Sequence, residues 1–393
     1  MCRFSENGGS YMIFFLWIII FLLCLLGISV ENVKLIFTGR KIGKNGRGVF
    51  HGIESLALLL CFLVICSNIT GVDIINYNNW YIRSEIIAGR EILYTWLRNE
   101  FKNITGTSFY IFRAFMTAAF GMLPIFFFKK YKVNVCFFLL IYNISLIFFD
   151  SMQFRNCIAL FGLIYLSGIL VEGKQGVRAK VIFAVGIFFL SQIHTMFLIY
   201  LLFIPMVSKR KLTYGEIIFV CSGGLLLITI LNGNKIPFLD VIYSWILSKN
   251  DNRIYSNAGG HLIFVLPMII HIFTTALLIY CNRCSVWGQD KVSQFRSNYI
   301  KFIMANNLCF FFVISLIMMN TTFYRIIRNL FPMNIIAVYF AYDNTKSKRL
   351  HFLMITGLIL ISFSWLIFKI GFYSSTEIII DPVLKYGDLF FLH

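Results

Sequence analysis

A chain of 393 residues that is 59% apolar and only 13% charged, with a mean hydropathy of +0.80, cannot close into a water-soluble domain without leaving large apolar patches on its surface. Forty-four phenylalanines beside six prolines describe lipid-facing helix and exclude the short alternating strands of an outer-membrane barrel. A net charge of +18 would suggest nucleic acid in a soluble protein, but here the basic residues sit in short clusters between apolar runs, where they set topology, so nucleic acid is excluded as a partner.

A hydrocarbon core of ~30 Å takes about 20 helical residues. By that ruler the chain predicts spans near 11–30, 50–66, 108–128, 133–149, 157–171, 217–231, 261–281, 302–319, 330–342 and 350–370. The first is read as a span and not a leader, because Arg3 is the only basic residue before it and no small-residue cleavage site follows. The fold class is therefore an all-α polytopic integral membrane protein of about 10–12 transmembrane helices, forming a single multi-span domain over residues 1–393.

Lysine and arginine clusters mark the loops expected to be cytoplasmic: Lys34 to Arg47, Lys129 to Lys132, Lys174 to Lys180, Lys209 to Lys211, Arg283 to Lys301 and Lys346 to Arg349. These alternate correctly only if residues 181–207 enter and leave on the same side. With Ser191, Gln192, His194 and Thr195 at its middle, that stretch predicts a re-entrant hairpin with a polar apex; a single long tilted span is the alternative. Two extracytoplasmic loops follow, at 67–107 and 232–260. Within the first, residues 82–102 place Ile86, Ile87, Leu93, Leu97 and Phe101 at helical spacing beside a charged face, which predicts an amphipathic helix lying along the membrane surface.

Seven of the ten cysteines fall inside apolar runs and behave as small hydrophobes. Cys281 and Cys284 form a CxxC without a second ligand pair, so neither a metal nor any cofactor is expected.

The sharpest clue is the division of basic residues between faces. The cytoplasmic clusters hold 14 Lys and 7 Arg, whereas the outer face carries Arg3, Arg83, Arg90, Arg98, Arg155, Arg253, Arg325 and Arg328 against five lysines. Topology needs only positive charge, but the planar fork of arginine suits bidentate contact with phosphate. An anionic phosphate ligand at the outer face is the expectation; pairing with outer acids such as Asp73, Glu85, Glu91 and Asp150 is the plain alternative. Arg155 opens a span directly after Asp150, where a charge needs a partner. Arg325 and Arg328, three apart, would share a helical face suited to a pyrophosphate, and Arg90 joins them as a candidate. Arg113, one turn into its span, reads as snorkelling toward water. His194 offers a phosphate donor or an acid–base group, and one of Asp73, Glu85 or Glu91 would serve as the base for a sugar hydroxyl. His271 and Glu54 read as helix-packing groups.

Gly71-Val72-Asp73 with Tyr77, the GREILYTWL stretch at 89–97, FRNCIAL at 154–160, SQIHTMFLIYLLF at 191–203 and the later NTTFYRIIRNLFP together resemble, in order and spacing, the EpsG-like branch of the Wzy-type polysaccharide polymerases. The resemblance runs over nearly the whole length. It implies a glycosyltransferase of the bacterial cytoplasmic membrane that joins undecaprenyl-pyrophosphate-linked oligosaccharide repeats into O-antigen or capsular polysaccharide. It assigns functional roles to Arg155 and His194, then Arg325, then Asp73. Expected partners are the lipid-linked oligosaccharides and the bilayer, with a chain-length regulator and a flippase beside them. A flippase or transporter of the same lipid-linked sugar competes with this reading, and would show inverted repeats and midplane charges; another membrane glycosyltransferase with a lipid-linked donor and an O-acyltransferase also remain open.

Overall fold

The computed structural model describes residues 12–37, 44–84, 91–172, 176–207, 211–233, 236, 265–319, 321–345, 347–373, 380–384 and 387–389. The expected loop 232–260 lies outside these apart from residues 232, 233 and 236, and Arg90 lies outside them too. Regular structure among the described residues is helical without a strand. In chain order it comprises α1 (Met12–Phe37), α2 (Lys44–Cys66), α3 (Val72–Arg83), α4 (Ile92–Thr105), α5 (Phe109–Tyr131), α6 (Val135–Met152), α7 (Phe154–Glu172) and α8 (Val177–Ser191). The 3₁₀ segments Thr195–Phe203 and Pro205–Val207 lead into α9 (Lys211–Leu231), α10 (Val265–Cys284), α11 (Lys291–Cys309), α12 (Val313–Met319), α13 (Tyr324–Asp343), α14 (Lys348–Tyr373) and α15 (Asp381–Leu384).

Eight helices among the described residues are long and apolar enough to cross a membrane, the run Lys291–Met319 counting as one. Helices α2 and α13 occupy the other two expected spans. The chain is a multi-pass membrane protein. Its lipid-facing positions are those a soluble protein would hide: Phe15, Leu22, Leu59, Phe188, Val220, Phe273 and Leu360 are all exposed.

Two compact units make up the chain: residues 1–166, 185–198 and 369–393 in the first, 167–184 and 199–368 in the second. In the first unit α1, α2 and α6 pack on one another, and every residue of α6 is buried. Trp17 stitches α1 to α6 by donating from Nε1 to the Asn143 carbonyl at 3.0 Å. Glycines let α7 and α8 meet closely and antiparallel: a β-carbon on Gly162 would stand 2.6 Å from Leu190, and one on Gly186 would stand 2.6 Å from Leu166.

Arg113, on α5, departs from the snorkelling expectation. It is fully buried, and its guanidinium donates to the carbonyls of Asn68 (2.5 Å), Ile65 and Ser151 (2.6 Å). The turn at 67–71 and α3 pack over this end of α5. The side chain therefore meets the orphan carbonyls at the ends of α2 and α6 before it meets water.

In the second unit α13 is the interior helix, buried from Ile326 to Ala341. Burial within protein is what lets it carry Arg328, Asn329 and Asn334 inside a membrane. Asn307 Nδ2 donates to Asn334 Oδ1 at 2.8 Å, and the His271 ring donates to the Asn307 carbonyl at 2.8 Å, tying α10, α11 and α13 together. At another point of this unit Arg296 pairs with Asp343 and covers the Phe340 ring at 5.1 Å.

The stretch 181–207 is a hairpin. Phe183 and Phe203 stack with centroids 6.0 Å apart and planes 18° from parallel, so the chain returns to the level it left. A straight span would hold these rings ~30 Å apart at ~1.5 Å per residue. The ascending arm is α8 and the descending arm is the long 3₁₀ run, with Gln192, Ile193 and His194 at the bend.

Candidate active site

The outer segment expected to hold one helix over 82–102 holds parts of two. Helix α3 starts after Gly71, whose N–H donates to Asn68 Oδ1 at 2.9 Å, and stops at Ser84 in the left-handed region, φ 52°. Helix α4 is pinned to the end of α3 by Lys102. That lysine donates to the Tyr81 and Ile82 carbonyls and to Ser84 Oγ at 2.8–3.0 Å, capping the end of α3. On α4, Tyr94 and Arg98 are buried, Phe101 packs on Phe112 and Phe115 of α5 with centroids 5.3 Å apart, and Ile92, Trp96 and Ile104 are exposed.

Helix α6 ends at Met152 and α7 begins at Phe154. The Phe154 ring packs edge-on against Tyr77, Tyr94, Phe109 and Phe112 at 6.1–6.5 Å. This fixes the first turn of α7 and aims its next residue, Arg155, at α3 and α4. The guanidinium carbon lies 5.0 Å from the Tyr77 ring, 5.7 Å from Trp80 and 5.4 Å from Tyr94. Each such contact contributes about 0.5–2 kcal/mol, more as water is removed. The carboxylate that balances the charge is Glu91, immediately before α4, in an ion pair with both side chains nearly buried.

Glu91 is itself held from the hairpin. Its Oε1 accepts from the Thr195 N–H at 3.3 Å, while the Tyr94 N–H donates to the Gln192 carbonyl at 3.2 Å. The hairpin tip is thus hooked onto the first turn of α4. Burial, above all, holds the Tyr94 phenol far above its ordinary range, so it stays protonated and can donate but cannot serve as a base. Two buried donors in this cage, Tyr94 Oη and Arg155 Nε, have no hydrogen-bond partner among the described residues. Unmet buried donors are uncommon and costly, and beside a cation they suit an anionic oxygen.

The residues expected from sequence divide as follows. Arg155 is central. Asp73 lies in the first turn of α3, four and seven residues before Tyr77 and Trp80 and so on their face, but the carboxylate on Arg155 is Glu91. Asp150 accepts from Tyr142 Oη at 2.7 Å in the buried interior of α6. His194 sits half-buried at the hairpin bend, next to Thr195, with its N–H on the Leu190 carbonyl at 2.9 Å and its ring edge-on to Phe197. Arg325 and Arg328 share the start of α13 in the second unit; Arg328 is fully buried and donates to Asn329 Oδ1 at 3.2 Å.

Trp80 was not singled out from the sequence, Tyr77 and Tyr94 stood there only within the resembling motifs, and Glu91 stood only as one of several possible arginine partners and candidate bases. The available signal was the density of Tyr and Trp from 77 to 96 beside a carboxylate. No group of three or more His, Cys, Asp or Glu able to hold a metal ion occurs among the described residues.

Compared with protein families, residues 55–383 match the model described as the EpsG family. That span starts in α2 and ends in α15, so the whole cage lies within it. No curated protein and no solved structure matches the chain.

Proposed function

This chain belongs to the EpsG family of polysaccharide-polymerase-like membrane proteins, and on that premise we propose that it joins undecaprenyl-pyrophosphate-linked oligosaccharide repeats into a surface polysaccharide, O-antigen or capsule, at the outer face of the bacterial cytoplasmic membrane. The observation that carries the reading is the Arg155 cage: a guanidinium with an unmet Nε, beside an unmet phenol, balanced by one carboxylate.

The donor pyrophosphate competes with Glu91 for Arg155. Two anions cannot share one fork at full strength, and a pyrophosphate brings more charge and more acceptor oxygens than a carboxylate. Once displaced, Glu91 is free to take a proton. The hydroxyl oxygen of the acceptor sugar forms a bond to the anomeric carbon of the donor chain, and the bond from that carbon to the pyrophosphate oxygen breaks. The leaving pyrophosphate carries off the electron pair and the hydroxyl proton passes to the carboxylate. Arg155 and Tyr94 stabilise the charge that grows on the departing oxygen. His194, at the hairpin bend, is a further donor to phosphate, Arg90 adjoins Glu91 in sequence, and Asp73 is the second carboxylate on the face of Tyr77 and Trp80. Arg325 and Arg328 offer another arginine pair, on α13, for a lipid-linked substrate.

The test is deletion of the gene in its host followed by complementation with wild type or Arg155→Ala. Wild type should restore the polysaccharide ladder, and the normally inserted variant should leave single-repeat products. If the deletion instead accumulates repeats facing the cytoplasm, export is the function and the polymerase reading falls.

A further inference from the structure

The facing surfaces of α2 and α5 enclose a groove whose two ends differ in chemistry. Its apolar stretch, about 340 Å³, is lined by Leu58, Phe62 and Ile65 of α2 and by Thr117, Gly121 and Ile125 of α5. It continues into a polar mouth of about 680 Å³ bounded by His51, Glu54, Lys129, Lys132 and Asn134. Leu58, Met122, Ile125 and Phe128 line both parts, so the two adjoin end to end. From Ile65 to His51 the groove runs about 20 Å at ~1.5 Å per residue, against ~15 Å for the hydrocarbon of one leaflet.

The room has a local cause. Pro124 inside α5 removes a hydrogen bond to the carbonyl one turn back and lines the groove. Gly121 adds space, since a β-carbon there would find its nearest neighbour, Phe161, at 3.9 Å.

The described residues of the mouth carry a net positive charge. Among the described residues that line it, Glu54 is the one acid; it faces His51 Nδ1 at 3.2 Å and accepts from the Val135 N–H at 3.4 Å, while Lys129 and Lys132 bring two cations. Lys132 also adopts φ 55°, the left-handed conformation that ends α5. Glycine or asparagine normally takes that position.

We propose that this groove holds one anionic glycerophospholipid from the leaflet at the lysine end, with an acyl chain along the apolar stretch and its phosphate at Lys129 and Lys132. The charge selects a phospholipid anion at this end. The site lies at the opposite end of α5 from Arg113, and it stands independently of the polymerase reading. Its occupant wedges α2 against α5, and α2 leads directly into the turn that carries α3.

Native mass spectrometry of the full chain, extracted from nanodiscs of phosphatidylglycerol or phosphatidylcholine, tests this. One phosphatidylglycerol should be retained where phosphatidylcholine is stripped, a comparison that needs no variant. Lys129→Gln and Lys132→Gln should each weaken retention about fivefold. Gly121→Leu, which fills the chain's path while leaving the lysines in place, should abolish it. Equal retention of the two lipids, co-purification of a polyprenyl phosphate in the phospholipid's place, or full retention by a folded Gly121→Leu protein would each overturn the proposal.

Discussion

Arg113 donates to three backbone carbonyls at the ends of two helices, whereas Arg155, in the same unit, is held by one carboxylate and three aromatic rings. A carbonyl built into a helix end cannot swing away; a glutamate side chain has torsions of its own. The first arginine is committed to the fold, and the second is held in a way that an incoming anion can undo. Charge and burial alone would not have separated them.

The largest effect should come from breaking the committed arginine. Arg113→Ala leaves three buried carbonyls unmet, at about 1–3 kcal/mol each, so the protein should lose its monodisperse peak in detergent. Arg113→Lys should recover only part of the melting temperature, because an ammonium cannot span the same three oxygens. Next comes Arg155→Ala, which removes three ring contacts and the ion pair to Glu91 and should lower the melting temperature, though less than Arg113→Ala, while polymer formation in reconstituted membranes falls by roughly 10²-fold or more. Arg155→Lys should restore little of it. If Arg155→Ala melts as badly as Arg113→Ala, the distinction between the two arginines is wrong.

Glu91→Gln sharpens the comparison further. The amide oxygen still accepts from the Thr195 N–H but no longer competes as an anion, so inorganic pyrophosphate should bind about tenfold more tightly, read by tryptophan fluorescence with Trp80 in the cage, while turnover drops. Weaker pyrophosphate binding in that variant would mean that Glu91 does not oppose the ligand. A smaller effect is expected at Arg296, whose partner Asp343 has a side chain 41% exposed; Asp343→Asn should cost at most ~1 kcal/mol in a melting experiment. Smallest is the cap of α11. Asp290 accepts from the Ser293 hydroxyl and from the N–H groups of Ser293 and Val292, which hold its carboxyl below the ordinary range. A depressed value means the cap's contribution is present above the unfolded carboxyl range of ~4 and is lost as pH falls through the folded one. Asp290→Asn should therefore flatten a slight fall in melting temperature below about pH 4.

The spans were legible because bilayer thickness fixes their length, and 108–128, 133–149 and 350–370 fall within three residues of α5, α6 and α14 at each end. The hairpin was legible through charge parity. Arg155 was legible because a cation opening a span has few innocent explanations. What surrounds it was not: Tyr77, Tyr94 and Thr195 come from three separate segments, brought together by the packing of Phe154 on the two tyrosines and by the Thr195 N–H on Glu91. Arg113 misled because its fate depends on a turn lying over it, which no local pattern encodes. Which positions of α4 face protein is hidden for a related reason, since sequence shows that a helix has two faces but not which one meets lipid.

Helix α6 carries that last ambiguity to its limit. Its sequence reads like any stretch made to dissolve in lipid, yet none of its residues is exposed. Exchange of one aliphatic residue for another, harmless on α9 or α14, should fail along α6 wherever shape changes. Over generations the helix that looks most generic is the one with the least freedom to drift.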